Sequence, residues 1–151
     1  MRLRRLIACL ALSASLLVGA MDVKKGRFTA TCTANGETQD ITTVGFQPKL
    51  YSLWTTDQTS EGFTTTQLFS IGVTDGTTTR GASIRSTDNV ATTVASRKWG
   101  SSLLQGFSAP TNFTVDHSAM LSNGFRIIHT VCNGGGGSFL THYWALGGAD
   151  V

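Results

Sequence analysis

Short β-prone runs, each closed by turn chemistry, constrain this chain more than any other feature. The runs cover 27–33, 38–42, 49–55, 67–74, 77–85, 92–98, 112–117, 119–122, 125–132 and 139–146. They are rich in Thr, Val, Ile and aromatic residues, whose branched or flat side chains suit a pleated surface. Gly, Asn, Asp and Ser separate them, and no helical period runs long enough to compete. With only 14% charged residues the chain does not have the composition of disorder. At 151 residues, with no internal repeat and no linker, it is one domain's worth of sequence. The expectation is an all-β antiparallel sandwich or jelly roll over 21–151, of roughly eight to ten strands, behind a hydrophobic leader at 1–20.

The leader has the three parts of a secretory signal: Arg2, Arg4 and Arg5, an apolar stretch over 6–18, and Val18-Gly19-Ala20 before Met21. A genuine start at Met21 and a retained anchoring segment are the alternatives. The apolar stretch falls short of the ~20 residues of a stable membrane span. Leu6-Ile7-Ala8-Cys9 spells a lipobox-like string, but no apolar stretch precedes it, which argues against lipidation. The leader also explains the sequence pI near 9.0. Three of the 12 basic residues sit there, so the remainder carries nine basic against nine acidic groups. A neutral body gives no reason to expect nucleic acid. With Cys9 in the leader, Cys32 and Cys132 remain, either as a disulfide or as two separate buried thiols.

Three turns suggest registers. Asp75-Gly76 reads as a two-residue hairpin turn, setting Thr74 opposite Thr77 and Ile71 opposite Arg80. One face of that hairpin collects Phe69, Ile71, Val73, Ala82 and Ile84. The other, with Leu68, Ser70, Gly72, Thr79, Gly81 and Ser83, is nearly flat, so a second sheet or subunit can approach it closely. Asn123-Gly124 pairs Ser122 with Phe125 and Met120 with Ile127. The glycines 134–137 form the tip of a third hairpin, with His129 opposite His142, Val131 opposite Leu140 and Ile127 opposite Trp144. Phe125, Ile127, Val131, Leu140, Trp144 and Leu146 then make its core face, while Ile128, Phe139 and Tyr143 show on the reverse. Both faces being apolar, both call for a cover.

Little here carries catalysis. His129 and His142 as cross-strand neighbours can offer two nitrogens to a metal, but His117 falls on the opposite face and no third ligand is evident. A polar pair within the sheet is the simpler reading, and no metal or cofactor is expected. Ser118 opposite His129 lacks an elbow, an oxyanion hole and an orienting carboxylate; Asp116 is only a diagonal neighbour. No carboxylate pair is fixed by the sequence at glycosidase spacing, and Gly134–Gly137 has no following helix with a lysine, as a phosphate loop needs. Asn112-Phe113-Thr114 matches a glycosylation sequon that chance supplies freely. Trp54, Trp99, Tyr51 and Tyr143 can form a sugar-stacking platform, of which Trp54, Trp99 and Tyr143 are the candidate binding residues.

Gly45-Phe46-Gln47-Pro48-Lys49 followed by Trp54-Thr55-Thr56-Asp57-Gln58-Thr59 resembles the opening of a module in tailed-bacteriophage structural proteins. Gly124-Phe125, the closing Tyr143-Trp144-Ala145-Leu146-Gly147-Gly148 and the start Met21-Asp22-Val23-Lys24-Lys25-Gly26-Arg27-Phe28 are similar to it as well. The resemblance covers about 21–148 and brings no catalytic residues. It implies a non-enzymatic virion surface protein (capsid decoration, head fibre or tail-associated) whose partners are other virion proteins. The leader departs from the pattern.

A secreted lectin-like module that binds host-surface glycans is the alternative. Sparse charge and two-sided apolar strands predict a homo-oligomer, with a trimer favoured by virion symmetry and with Ile128 and Tyr143 at the subunit contact.

Overall fold

The computed structural model describes residues 21–56, 58–60, 66–87, 94–106, 112–133 and 137–148. The leader, its cleavage site and Cys9 lie outside these residues, as do the start of the run at 92–98 and most of the glycine tip.

The described chain is an all-β sandwich of two antiparallel sheets. Its strands are β1 (Asp22–Cys32), β2 (Glu37–Ile41), β3 (Pro48–Thr55), β4 (Thr66–Thr74), β5 (Thr79–Thr87), β6 (Val94–Gly100), β7 (Leu104–Gly106), β8 (Asn112–Leu121), β9 (Gly124–Asn133) and β10 (Gly137–Gly147). One sheet has six strands in the order β1-β10-β3-β4-β5-β6, and the other has four in the order β2-β9-β8-β7. The chain crosses between sheets after β1, β2, β6 and β9.

Aromatic rings fill the space between the layers. Tyr51 from β3 stacks on Phe125 from β9, with centroids 4.0 Å apart, and Tyr143 from β10 meets Phe125 edge-on at 5.6 Å. Further along, Phe113 stacks on Phe139 at 4.2 Å. Leu53, Leu103, Leu104, Val115 and Ile127 complete a core with no access to solvent. Side chains tie the layers at both margins. The Gln39 amide donates to the Thr29 carbonyl at 2.8 Å and accepts from the Thr31 amide, occupying two backbone groups of β1 as a neighbouring strand would. On the other margin the Ser70 hydroxyl accepts from the Gln105 backbone N–H at 2.9 Å and pairs with the Ser83 hydroxyl at 2.6 Å.

The registers correct several expectations. Thr74 pairs with Thr79 and Ile71 with Ala82, two residues from the two-residue-turn reading. Asp75 Oδ1 accepts from the amides of Thr77 and Thr78, so the loop holds four residues, with Gly76 at φ 89°. Leu121 pairs with Gly124 and Met120 with Phe125, and a bulge between His117 and Ala119 absorbs Ser118. Gly124 is therefore strand rather than turn. A Cβ there would meet the Ile41 carbonyl oxygen, and this close approach of backbones is what the glycine permits.

The largest correction concerns β9 and β10. They are not a hairpin but lie in opposite sheets, β9 between β2 and β8, β10 between β1 and β3. His129 consequently faces Val115 and Glu37, while His142 faces Arg27 and Trp54. Phe125 and Ile127 are buried as expected, but on β10 the faces are reversed. Tyr143 and Phe139 are core, and Trp144 is on the surface. A strand that changes sheet carries its alternation into the new layer without reference to the strand before it.

On the β4–β5 pair the second sheet approaches the flat face. The flat face is the inner one, because Gly72 and Gly81 admit the backbone of Ser102 and Leu103 at a distance no Cβ would tolerate. The apolar face, with Phe69, Ile71, Val73 and Ile84, looks outward.

Candidate functional site

The outer face of the six-stranded sheet gathers the side chains that the core leaves out. Cross-strand pairing puts Arg27, His142, Trp54, Ile71, Ala82 and Trp99 in one row across all six strands. The next row is Lys25, Trp144, Ser52, Val73 and Arg80. Val23, Leu146 and Leu50 follow at one end, and Phe69, Ile84 and Arg97 flank the long row on its other side. Side chains two apart on a strand point the same way, so these rows form one continuous surface.

This surface is unusual for its chemistry. Trp99 is 84% exposed, Trp144 58% and Ile84 57%. Exposed apolar groups one at a time are ordinary, but a contiguous sheet face of them marks a contact surface. Its charges are of one sign. Lys25, Arg27, Arg80 and Arg97 occupy strand positions on it, and among the described residues no carboxylate does. Asp40 and Asp116 stand on the opposite layer. There Asp40 and Arg126 form a two-bond ion pair at 2.5 and 2.8 Å, and Thr130 donates to Asp116 at 2.7 Å. The hydrogen bond from Arg126 holds the Asp40 carboxyl below the usual range.

Two shallow depressions share Ser52. One, of about 510 Å³, lies between Lys25, Leu50, Trp144 and Leu146. The other, of about 340 Å³, lies between Val73, Arg80, Ala82 and Trp99. At the centre Trp54 is half-buried, stacked on His142 with centroids 5.5 Å apart and planes 12° apart. Trp144 meets Trp54 at 5.5 Å with the planes at 74°. The two indoles therefore cannot offer a flat shared platform. Trp54 and Trp99 stand three strand spacings apart, roughly 14 Å.

No protein family, curated protein or solved structure matches this chain.

The sequence-derived candidates divide as follows. Trp54 and Trp99 are on the face. Tyr143 is not: it is 1% exposed, with its hydroxyl 3.0 Å from Thr43 Oγ1, and Tyr51 is buried beside it. Neither tyrosine can touch a sugar or a neighbouring subunit from there. Ile128 is half-buried on the outer side of β9, in the other sheet. Trp144 and His142 were missed as members of the face, because pairing β10 with β9 turned Trp144 inward. The Ser118–His129 pairing does not form; Ser118 is exposed in the bulge and His129 is enclosed. The His129–His142 pairing does not form either. Instead, Cys32 from β1 and Cys132 from β9 are joined in a disulfide, and His129 lies against it.

Proposed function

We propose that this protein is a non-enzymatic surface protein of a tailed-bacteriophage virion, acting through protein–protein contacts made by the outer face of its six-stranded sheet. The carrying observation is that face itself: two exposed tryptophans and a field of Ile, Val and Phe, set among basic groups with no carboxylate among the described residues. Buried aromatic anchors with Arg at their margin are the usual source of binding energy in protein interfaces. The fitting partner is another virion protein with an apolar centre and an acidic rim. Virion membership itself is supported by the resemblance of the Gly45–Lys49, Trp54–Thr59 and Tyr143–Gly148 segments. Closed assembly of copies, a trimer by preference, belongs to the same reading, with Ile128 as the remaining expected subunit contact.

A secreted carbohydrate-binding module is the alternative, and exposed Trp99 and Trp144 favour it. The 74° angle between Trp54 and Trp144 weighs against it, since stacking on a sugar face needs coplanar or stepped rings.

Mass spectrometry of purified particles is the deciding measurement. The protein is expected in the particle fraction at fixed stoichiometry, and Trp144→Asp with Trp99→Asp should abolish its incorporation without changing far-ultraviolet circular dichroism. Recovery from soluble supernatant alone would overturn the reading. Glycan-array binding lost in the same double variant would install the alternative.

A further inference from the structure

His129 is fully enclosed, yet among the described residues neither of its ring nitrogens has a hydrogen-bond partner. A neutral imidazole carries one donor and one acceptor, and leaving both bare in a protein interior is costly. What surrounds it is sulfur. One ring nitrogen of His129 and the Sγ atoms of Cys32 and Cys132 all lie within 4.8 Å of one another. Two strands supply this arrangement. Cys32 ends β1 in the six-stranded sheet, whereas His129 and Cys132 lie on β9 in the other, with Phe139 edge-on to the imidazole at 6.4 Å.

We propose that reduction of the Cys32–Cys132 bond converts this cluster into a binding site for a thiophilic divalent cation of the zinc type, held by both thiolates and His129. Two cysteines and a histidine are a donor set that zinc favours, and three protein ligands leave a fourth position open. Donors 2.0–2.3 Å from zinc stand about 3.3–3.8 Å apart in a tetrahedron. The Cα atoms of the two cysteines are 5.5 Å apart, which leaves their sulfurs room to separate to that distance.

A dithiol reductant gives two electrons and two protons to the S–S bond and becomes a cyclic disulfide, leaving two thiols. Cation binding then releases both thiol protons to solvent, and His129 enters neutral through its lone pair. In either state the site ties β1 to β9, by a covalent bond when oxidised and by metal–ligand bonds when reduced.

Cobalt(II) is the test probe, because it reports thiolate ligation and tetrahedral geometry by absorption. Full-length protein, reduced with excess dithiol and freed of it by gel filtration under argon, is titrated with cobalt and then with zinc. The expected result is one cobalt per chain, with thiolate charge-transfer bands and strong visible bands that zinc abolishes. Oxidised protein should show neither. His129→Gln should weaken cobalt binding by more than the roughly 10–100-fold associated with outer ligand partners. Circular dichroism of the same samples follows the fold. Absence of stoichiometric cobalt in folded reduced protein overturns the proposal. So does a His129→Gln variant that binds as tightly, or a reduced chain that loses its sheet signal whether or not zinc is present.

Discussion

Two side chains that reach across the sandwich give this protein a pH response. His117 Nδ1 lies 2.9 Å from the Tyr51 hydroxyl. Burial drives the Tyr51 phenol far above its ordinary range, so it stays protonated, and which of the two groups donates is set by the imidazole tautomer. Burial lowers the pKa of His117, with the nearby Asp75 carboxylate opposing the shift. The unfolded chain therefore binds a proton at higher pH than the folded one. Stability that is complete above the unfolded value near 6.5 is lost as pH falls through the depressed folded value. Urea unfolding between pH 7 and pH 5 should show this loss, and His117→Gln should shrink it. An unchanged slope in the variant would exclude His117 as its source. None of this partnership was legible in the sequence, because Tyr51 and His117 are 66 residues apart and belong to different sheets.

At the scale of strands, the crossings between sheets matter more than the hairpins. The 101–103 segment, which leads into β7, passes over β4 and β5 at a paired glycine step, Gly72 opposite Gly81. A Cβ on Gly72 would lie 2.0 Å from the Leu103 carbonyl oxygen, and one on Gly81 would lie 2.1 Å from that of Ser102. Both neighbours are backbone and cannot step aside. Gly72→Ala should therefore cost at least about 1–3 kcal/mol by chemical denaturation, the range for an overpacked interior. Gly137→Ala, where a Cβ meets nothing within 4 Å, should be close to neutral. Equal effects at the two sites would show that the close approach is not what Gly72 serves.

The disulfide acts on the same scale. It closes a separation of 100 residues and joins the end of β1 to β9, two strands that share no sheet. Cys32→Ala with Cys132→Ala in metal-free buffer should cost about 2–5 kcal/mol, mostly by enlarging the unfolded ensemble. A loss well below 1 kcal/mol would mean the sheets hold this corner unaided.

Strand existence was readable from β-branched runs and turn residues, and so was the flatness that invites close packing at Gly72 and Gly81. The destination of β10 was not. Glycines at 134–137 suit a tight hairpin tip and a passage between layers equally well, and local sequence contains nothing that separates the two. From that one choice followed the inversion of Trp144 and Tyr143, and with it the candidate site.

For the molecule as a whole, the division between its two outer faces is the property that most shapes behaviour in water. The formal neutrality of residues 21–151 conceals a split: basic groups stand among exposed apolar side chains on one layer, and Asp40 and Asp116 on the other. Face-to-face packing of two copies through the large sheet would bring Lys25, Arg27, Arg80 and Arg97 of each against the other, an arrangement like charges oppose. A partner with carboxylates at its rim removes that repulsion, and its association should weaken as salt rises. In the free protein the same face should retain the chain on a hydrophobic-interaction column at high salt. Trp144→Ser, Trp99→Ser and Ile84→Ser combined should elute markedly earlier while changing stability by no more than about 0.5 kcal/mol apiece, as exposed positions allow. Tyr143→Ala is the contrasting variant. It empties a core position between Phe28 and Phe125 and should cost about 3–5 kcal/mol, comparable to truncating a buried aromatic ring. Retention unchanged by the triple variant would show that the face is not exposed in solution. A Tyr143→Ala variant of undiminished stability would return that side chain to the surface, where the sequence alone had put it.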